Sequence, residues 1–433
     1  MLNIVYYTNV KKKLFLLHGW IGRQLGLLFF IICFSGTIST VSHELDWLIQ
    51  SDYRATPQST YISRNVISNN FAKTYPKAKI TYWIRHDEPY LCDLLYKEEN
   101  EKLSFVFANP YTGEIQGETS LTAQLYLRDL HYYLFIPFQI GNYIVLLFGF
   151  LILVSVVSAL YFYKSWWKKF FVLDVKNGGN KFSRSSHRFV GLWAIPFIFL
   201  IVIINSWYFI ERTNIAGIKP LVNPKHIKLD ILNYQNKKKS LFPFNIDYDK
   251  AVKIAEKAIP HFKVKNISPA IDSTETIYVM GNSNVPLVRQ RANRVYINPY
   301  NYKIEHIQNA AKSSTIMWIN DIADPLHFGY WGGITTKIIW FILGLIISIL
   351  ILSGIYISLK RKHRSKQKSR IEKIFLNVSN TLVICCVFYF MLKRLHTRYE
   401  ATVLAHFVVF ISWALLFALW YYVLVYSIRK TRS

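Results

Sequence analysis

The sequence predicts a mainly α membrane protein: a duplicated four-helix transmembrane bundle with two further C-terminal helices, and two small α+β domains outside the membrane. Three observations predict it. Six apolar stretches, roughly 14 to 41, 134 to 163, 189 to 210, 334 to 359, 374 to 392 and 402 to 427, approach or exceed the about 20 residues that a span requires. Long polar segments separate the first span from the second and the third from the fourth. Finally, one phrase is written twice: His18 is followed by Gly22 and Gly36, and His187, at the same spacings, by Gly191 and Asn205. Each copy then carries an Asn-Pro-Tyr step, at Asn109-Pro110-Tyr111 and Asn298-Pro299-Tyr300, and closes on a histidine at the mouth of the next apolar run, His131 or His327.

Composition agrees. A chain of 433 residues with 52% hydrophobic content and a net charge of +27 is too apolar and too basic for an ordinary soluble enzyme. The charge flanks the spans instead of lining one soluble face, so it argues for topology and not for nucleic acid. Lys11 to Lys13, then Lys164, Lys168, Lys169, Lys181 and Arg184, and finally eight basic residues between Lys360 and Lys373 all fall on one side, which is therefore read as cytoplasmic, with both termini. Lys393, Arg394 and Arg398 in the last loop run against the rule but are outnumbered. The long polar segments then lie on the opposite, outward side. The first span is longer than the usual secretory apolar region of about 7 to 15 residues and lacks a small-residue cleavage site, so it is read as an uncleaved anchor.

The expected boundaries follow: 1–42 for the N-terminus and first span, 43–130 for the first outward domain, 131–163 for the second span, 164–188 for a cytoplasmic loop and 189–210 for the third span. Then come 211–330 for the second outward domain, 331–360 for the fourth span, 361–373 for a basic loop and 374–433 for the last two spans and C-terminus. Within 211–330, Tyr248 to Ile259 puts Ala251, Ile254, Ala255, Ala258 and Ile259 on one helical face and stops before Pro260. Strands follow at Thr276 to Met280 and Arg294 to Ile297, and the turn at Asn298. The first domain repeats the order with Val66 to Tyr75, Leu103 to Phe107 and the turn at Asn109. There Gly113 supplies a positive φ, whereas the second copy has Tyr302 and is expected to turn differently.

Leu17-His18 with Gly22 and Gly26, Ser35-Gly36-Thr37, Asn109-Pro110-Tyr111-Thr112-Gly113, Leu130-His131, His187-Arg188 with Gly191, Ala251 to Pro260 and Leu326-His327-Phe328-Gly329 together carry a resemblance. The outward domains resemble PepSY modules, and residues 10 to 360 resemble the PepSY-associated transmembrane family of bacterial inner-membrane proteins, which includes ferric-siderophore reductases. The family's Thr-Gly is replaced here by Asn205-Ser206 in the third span and by Asn301-Tyr302 after the second Asn-Pro-Tyr, which weakens a helix contact and the second turn. All four histidines remain.

Histidines repeated at membrane boundaries ask for a shared ligand, and haem fits best. A parallel repeat brings span one opposite span three and span two opposite span four, pairing His18 with His187 near the cytoplasm and His131 with His327 near the outside. Neutral imidazole donates one nitrogen lone pair to iron while its other nitrogen binds an acceptor. Two such ligands per iron leave no open site, so the expected cofactors are two electron-carrying haems. No Cys-x-x-Cys-His is present, so they are non-covalent b-type haems. Gly22 and Gly191, one turn from their histidines, make room for a flat macrocycle or a neighbouring helix, and Arg23, Arg128 and Arg188 are placed to pair with propionates.

Taken singly, such a histidine is more often an interfacial anchor, and it is the four in register that favour ligation. His406 has no repeated counterpart and is read as a hydrogen-bonded span histidine; His43, His86, His226, His261, His306 and His363 lack metal-like spacing, so no zinc site is expected. Neither a phosphate loop, a Gly-x-Ser-x-Gly elbow nor a Gly-x-Gly-x-x-Gly unit is present, so electrons come from a separate cytoplasmic donor. The resemblance implies a periplasmic acceptor, a ferric siderophore, and aromatics such as Tyr82, Trp83, Tyr278 and Tyr296 are candidates for its docking cleft. The rival reading is a non-enzymatic membrane protein whose outward modules bind a partner or inhibit a peptidase at the cell surface. Transport is disfavoured because Glu44, Asp46 and Glu211 only flank spans.

Overall fold

The structure is a computed structural model that describes residues 2–175, 179–229, 245–364 and 370–422. Part of the basic loop, 365–369, and the end of the sixth expected span, 423–427, lie outside the described residues. The chain divides into two compact units, one of Met1–Val41, Leu125–Phe209 and Ile338–Ser433, the other of Ser42–Gln124 and Ile210–Lys337.

The first unit is helical. Among the described residues four helices are long and apolar enough to cross a membrane, Phe138–Phe162, Lys181–Thr213, Tyr330–Lys360 and Val378–Thr397, and a bent pair makes a fifth if counted as one span. That pair is α1 (Leu2–Gln24) and α2 (Gly26–Ser39), which meet at 65°. The sequence reads 14 to 41 as one span, and the bend falls where another helix comes close. Gly26 lets another helix in so closely that a Cβ there would stand 2.7 Å from Cγ1 of Ile355, while Leu25 keeps its helical bonds, accepting from Phe29 and donating to Ile21. The remaining spans belong to α6 (Phe138–Phe162), α7 (Gly179–Thr213), α11 (Gly333–Arg364) and α12 (Arg370–Thr397). The last apolar helix is α13 (Val403–Tyr421), whose described apolar stretch is Ala405–Leu415. Ala194, Ile198 and Val202 of α7 pack on Ile152, Leu153 and Val156 of α6 and Ile347 of α11, whereas Ile203, Ile349 and Leu382 stay exposed, as a lipid-facing surface requires.

Asn205, which replaces the family's threonine, does not weaken its helix contact. Its Nδ2 donates to the Leu146 carbonyl at 2.8 Å, lying against Gly149, where any Cβ would clash with it.

The second unit carries α3 (Ser42–Ile49), α4 (Arg64–Thr74), β1 (Lys79–Ile84), β2 (Asp93–Glu99), β3 (Lys102–Ala108) and β4 (Ile115–Thr119). Later in the chain come α8 (Ile218–Val222), α9 (Tyr248–Ala258), β5 (Lys263–Ser268), β6 (Ile277–Asn282), β7 (Asn293–Ile297), β8 (Ile304–Gln308) and α10 (Thr315–Phe328). A last helix, α5 (Ala123–Tyr133), starts in this unit and continues into the helical one.

Instead of two separate sheets, the strands form one, in the order β4-β3-β2-β1-β5-β6-β7-β8, antiparallel throughout. The seam pairs Trp83 with Ile267 and Ile84 with Asn266. Both helices pack on one face, where Ile67 and Phe71 of α4 and Ala251 and Ala255 of α9 cover Trp83, Leu95, Val106, Ile277, Val279 and Val295. Fully burying each large apolar side chain there contributes about 1.5–3 kcal/mol. The helix starts are tied together: Asn65 Nδ2 donates to Asp247, the N-cap of α9, at 2.8 Å, and Asn65 Oδ1 accepts the Tyr248 N–H at 2.8 Å.

The two Asn-Pro-Tyr turns are alike, contrary to expectation. In each, the asparagine carbonyl accepts an N–H four residues on, from Gly113 (2.9 Å) or Tyr302 (2.8 Å), and Tyr302 takes the same left-handed backbone, φ 60° against 78° for Gly113. Compensation comes from the side chain, since the Tyr302 hydroxyl accepts the Asp247 N–H at 2.7 Å and its ring lies under the Lys250 ammonium.

Candidate functional site

Four helices of the first unit build a small polar site. The rings of His18 on α1 and His187 on α7 lie edge to face, with centres 6.4 Å apart and planes at 70°. Each is oriented by a third element. The Nδ1 of His18 lies 3.0 Å from the Ser155 carbonyl of α6 and 2.9 Å from the Ser155 hydroxyl; the carbonyl can only accept and the hydroxyl can accept as well, so a proton on Nδ1 serves both. His187 Nδ1 lies 2.8 Å from Ser353 Oγ of α11, and that hydroxyl already donates to the Leu350 carbonyl, so again Nδ1–H is the donor. Neither Nε2 is used by a hydrogen bond among the described residues, which leaves two lone pairs on neighbouring imidazoles. Gly354, one turn beyond Leu350, gives His187 its space: a Cβ there would stand 3.0 Å from Cε1.

His131, on α5, is held the same way. Its Nδ1 donates to the Ile32 carbonyl of α2 at 2.8 Å, and Gly36, one helical turn on, lies behind the ring. His327, in the sheet unit, closes α10 with its ring 5.2 Å from that of Phe328. Arg289 fixes α10 through Asp321 (2.8 Å) and Asp324 (2.7 Å), and Gly329 ends it at φ 76°. So the structure brings His18 and His187 together, while His131 and His327 belong to different units.

The accessory residues differ in how committed they are. Beside Gly22 a Cβ would meet nothing within 4 Å, and beside Gly191 only Leu350 at 3.8 Å, so neither glycine marks a tight helix contact. Arg23 has a buried Nε with no hydrogen-bond partner among the described residues. Arg188 donates to the Val172 carbonyl at 2.8 Å and lies over Tyr163, leaving its own Nε buried and unpaired. Arg128 is engaged by its neighbour Asp129 at 3.2 Å. Asp129 itself is fully buried and accepts the Tyr399 hydroxyl, and Trp413 Nε1 donates to Tyr126 at 2.7 Å, so α13 and the turn before it are clamped to α5, the helix that presents His131. His406 bonds the carbonyl of Thr402 one turn back in the chain.

In the sheet unit, Trp83 is fully buried beneath α4 and α9 and is core, not cleft. Tyr82, Tyr278 and Tyr296 lie along the sheet without joining that core, the last two stacked at 4.9 Å with His226 against both.

Sequence spacing also missed a cluster. One ligand atom each from His43, His86 and Glu88 lies within 4.8 Å of the others, bringing α3 and the β1–β2 loop together. Tyr53 bonds His86 Nε2 at 2.5 Å, and Lys337 bridges Glu88 and Glu44. Burial, then the neighbouring imidazole of His43, pushes His86 down to about 3, and burial with the Lys337 charge lowers His43, so both rings are neutral at physiological pH. Burial alone would raise Glu88, but the Lys337 ammonium beside it holds its carboxyl at about 2. Residues 43 and 86 are far apart in sequence, and only the fold places them side by side.

No curated protein matches the chain. The histidines near the end of α1 and at the start of the apolar part of α7, the two Asn-Pro-Tyr turns and the spans between them fall within residues 15–361, which match the model of the PepSY-associated TM region, and the chain belongs to that family.

Proposed function

We propose that the chain is a haem-bearing oxidoreductase of the bacterial inner membrane, passing electrons from a cytoplasmic donor to a periplasmic acceptor, a ferric siderophore. The observation that carries it is the His18–His187 pair. Two metal–imidazole bonds of about 2 Å would set the ring centres roughly 6 Å apart, and the pair stands at 6.4 Å with both Nδ1 atoms tied and neither Nε2 hydrogen-bonded among the described residues. Donor chemistry and spacing suit two imidazoles that would hold one haem iron. Ser155 and Ser353 fix the tautomer and hold the rings, and the uncrowded flanks of Gly22 and Gly191 leave room for a flat group. Arg23 and Arg188, each with a buried unpaired Nε, are suited to its propionates.

When bound, such a haem takes up and releases one electron at a time without binding oxygen. In the sequence repeat His131 and His327 are the equivalents of the first pair, so the proposal extends to two non-covalent b-type haems in a duplicated four-helix bundle. The basic segments set the sidedness, with both termini cytoplasmic. The siderophore is taken from the resemblance to ferric-siderophore reductases.

The test is the purified full chain from a haem-sufficient host. Two haems per chain with a reduced six-coordinate spectrum are expected, and colourless protein overturns the reading. His131→Ala or His327→Ala should each remove one haem and spare the other; equal loss of both overturns the pairing.

A further inference from the structure

The sheet unit holds a second constellation that the haem reading does not use. His43 and His86 pack edge to face with ring centres 4.8 Å apart, and the Glu88 carboxylate completes a set of three ligand atoms within 4.8 Å of one another. Two imidazoles and one carboxylate are the donor set that first-row divalent ions favour. We propose that His43, His86 and Glu88 bind one such ion, of the zinc or ferrous class, with Glu44 at the edge of the site.

Three observations support a site over a plain ion-pair cluster. Among the described residues no hydrogen bond reaches either ring nitrogen of His43, and the second oxygen of Glu44 is buried without a partner, so donor capacity is left over. Glu44 and Glu88 also share one ammonium, Lys337, whose side chain is only 7% exposed, so two carboxylates stand against a single cation. Carboxylates that outnumber their cationic partners in a buried cluster favour a further cation. Finally, Tyr53 hydrogen-bonds one nitrogen of His86 and so orients the ring, the outer-shell arrangement that ligating histidines usually have. Lys337 then acts as the competitor that yields Glu88 when the ion enters.

Among the described residues the site has no counterpart in the second half. After β5 the second copy reads Ser268-Pro269-Ala270 where the first, after β1, reads Ile84-Arg85-His86.

The experiment uses the full chain in detergent, stripped with a chelator and dialysed against zinc chloride alone, with bound zinc counted by mass spectrometry. The wild type should hold one zinc more per chain than either His43→Ala or His86→Ala, and Lys337→Met, lacking the competing ammonium, should bind at least as tightly as wild type. Reading the difference between variants subtracts zinc taken up by other histidines. Because His43→Ala trims a half-buried ring, it serves if His86→Ala fails to fold. Equal zinc in wild type and His43→Ala overturns the proposal and makes the cluster a buried ion-pair tie. Haem content is read separately from the same samples, so either reading can fail without the other.

Discussion

Gly36 of α2 backs directly onto the imidazole of His131: a Cβ built at Gly36 would stand 2.5 Å from Cε1 and 2.7 Å from Nδ1. The Ile32 carbonyl one turn earlier holds the same ring by its Nδ1–H, so α2 is shaped to seat this histidine. A side chain at Gly36 must push the ring off that seat. Gly36→Val is therefore expected to lower haem content by about half, and Gly354→Val to do the same through His187, read by extraction and pyridine haemochrome. Full haem content in both variants would count against these histidines as ligands.

Asp93 is 1% exposed and takes three charge-assisted contacts from Arg85, with a bond from Trp83 Nε1 at 2.8 Å. Removing one partner leaves a buried charge alone, so Asp93→Ala should destabilise the sheet by about 3–5 kcal/mol, whereas replacing both Asp93 and Arg85 by leucine should recover much of that. Thermal unfolding of the full chain checks it; a double variant no better than the single one contradicts the argument.

The paired turns offer a cleaner contrast. Gly113→Ala forces a Cβ at φ 78° and to within 3.2 Å of Val66, and should lose about 1–2 kcal/mol. Tyr302→Gly relieves comparable strain but gives up the hydroxyl bond to Asp247 and the Lys250 contact, so its net change should lie within about 1 kcal/mol of zero. Chemical denaturation of both variants decides it, and a Tyr302→Gly protein much more stable than wild type would mean that the side chain compensates nothing.

Tyr399→Phe removes the hydroxyl that reaches buried Asp129. Burial and the Asp129 carboxylate push this phenol far above its ordinary value, so it remains a donor throughout the usable pH range. The variant should loosen the α12–α13 turn by about 1–3 kcal/mol, seen as faster hydrogen exchange around residues 395–403. Unchanged exchange would show that the clamp is carried by Trp413 and Tyr126 alone.

Cys92 is buried, and burial followed by the nearby Asp93 and Asp52 charges pushes its thiol far up. It should resist maleimide up to about pH 9 and react at once on unfolding. Labelling of the folded sheet unit at neutral pH would place it at the surface.

Much of this was legible in the chain because it rests on local chemistry. The helix before Pro260, the strands around Leu103 to Phe107 and Arg294 to Ile297, and the histidine that opens each repeat are set by periodicity, breakers and apolar runs. What stayed hidden depends on contacts between distant residues. The bend at Leu25 goes with the close approach of Ile355 to Gly26, the union of the two outward segments with two residue pairs between β1 and β5, and the meeting of His43 and His86 with the fold of α3 beside the β1–β2 loop. Tyr302 misled in the other direction, because glycine preference at a left-handed position gives way when the side chain finds two partners of its own.

The seam between β1 and β5 consumes two strand edges that a half-length polypeptide would present to solvent, open to pairing with any other molecule. Joined in one polypeptide, the halves always meet one to one, and neither must remain self-complementary. Each is then at liberty to differ: tyrosine stands for glycine in one loop, and among the described residues the imidazole-carboxylate cluster is found on one side alone.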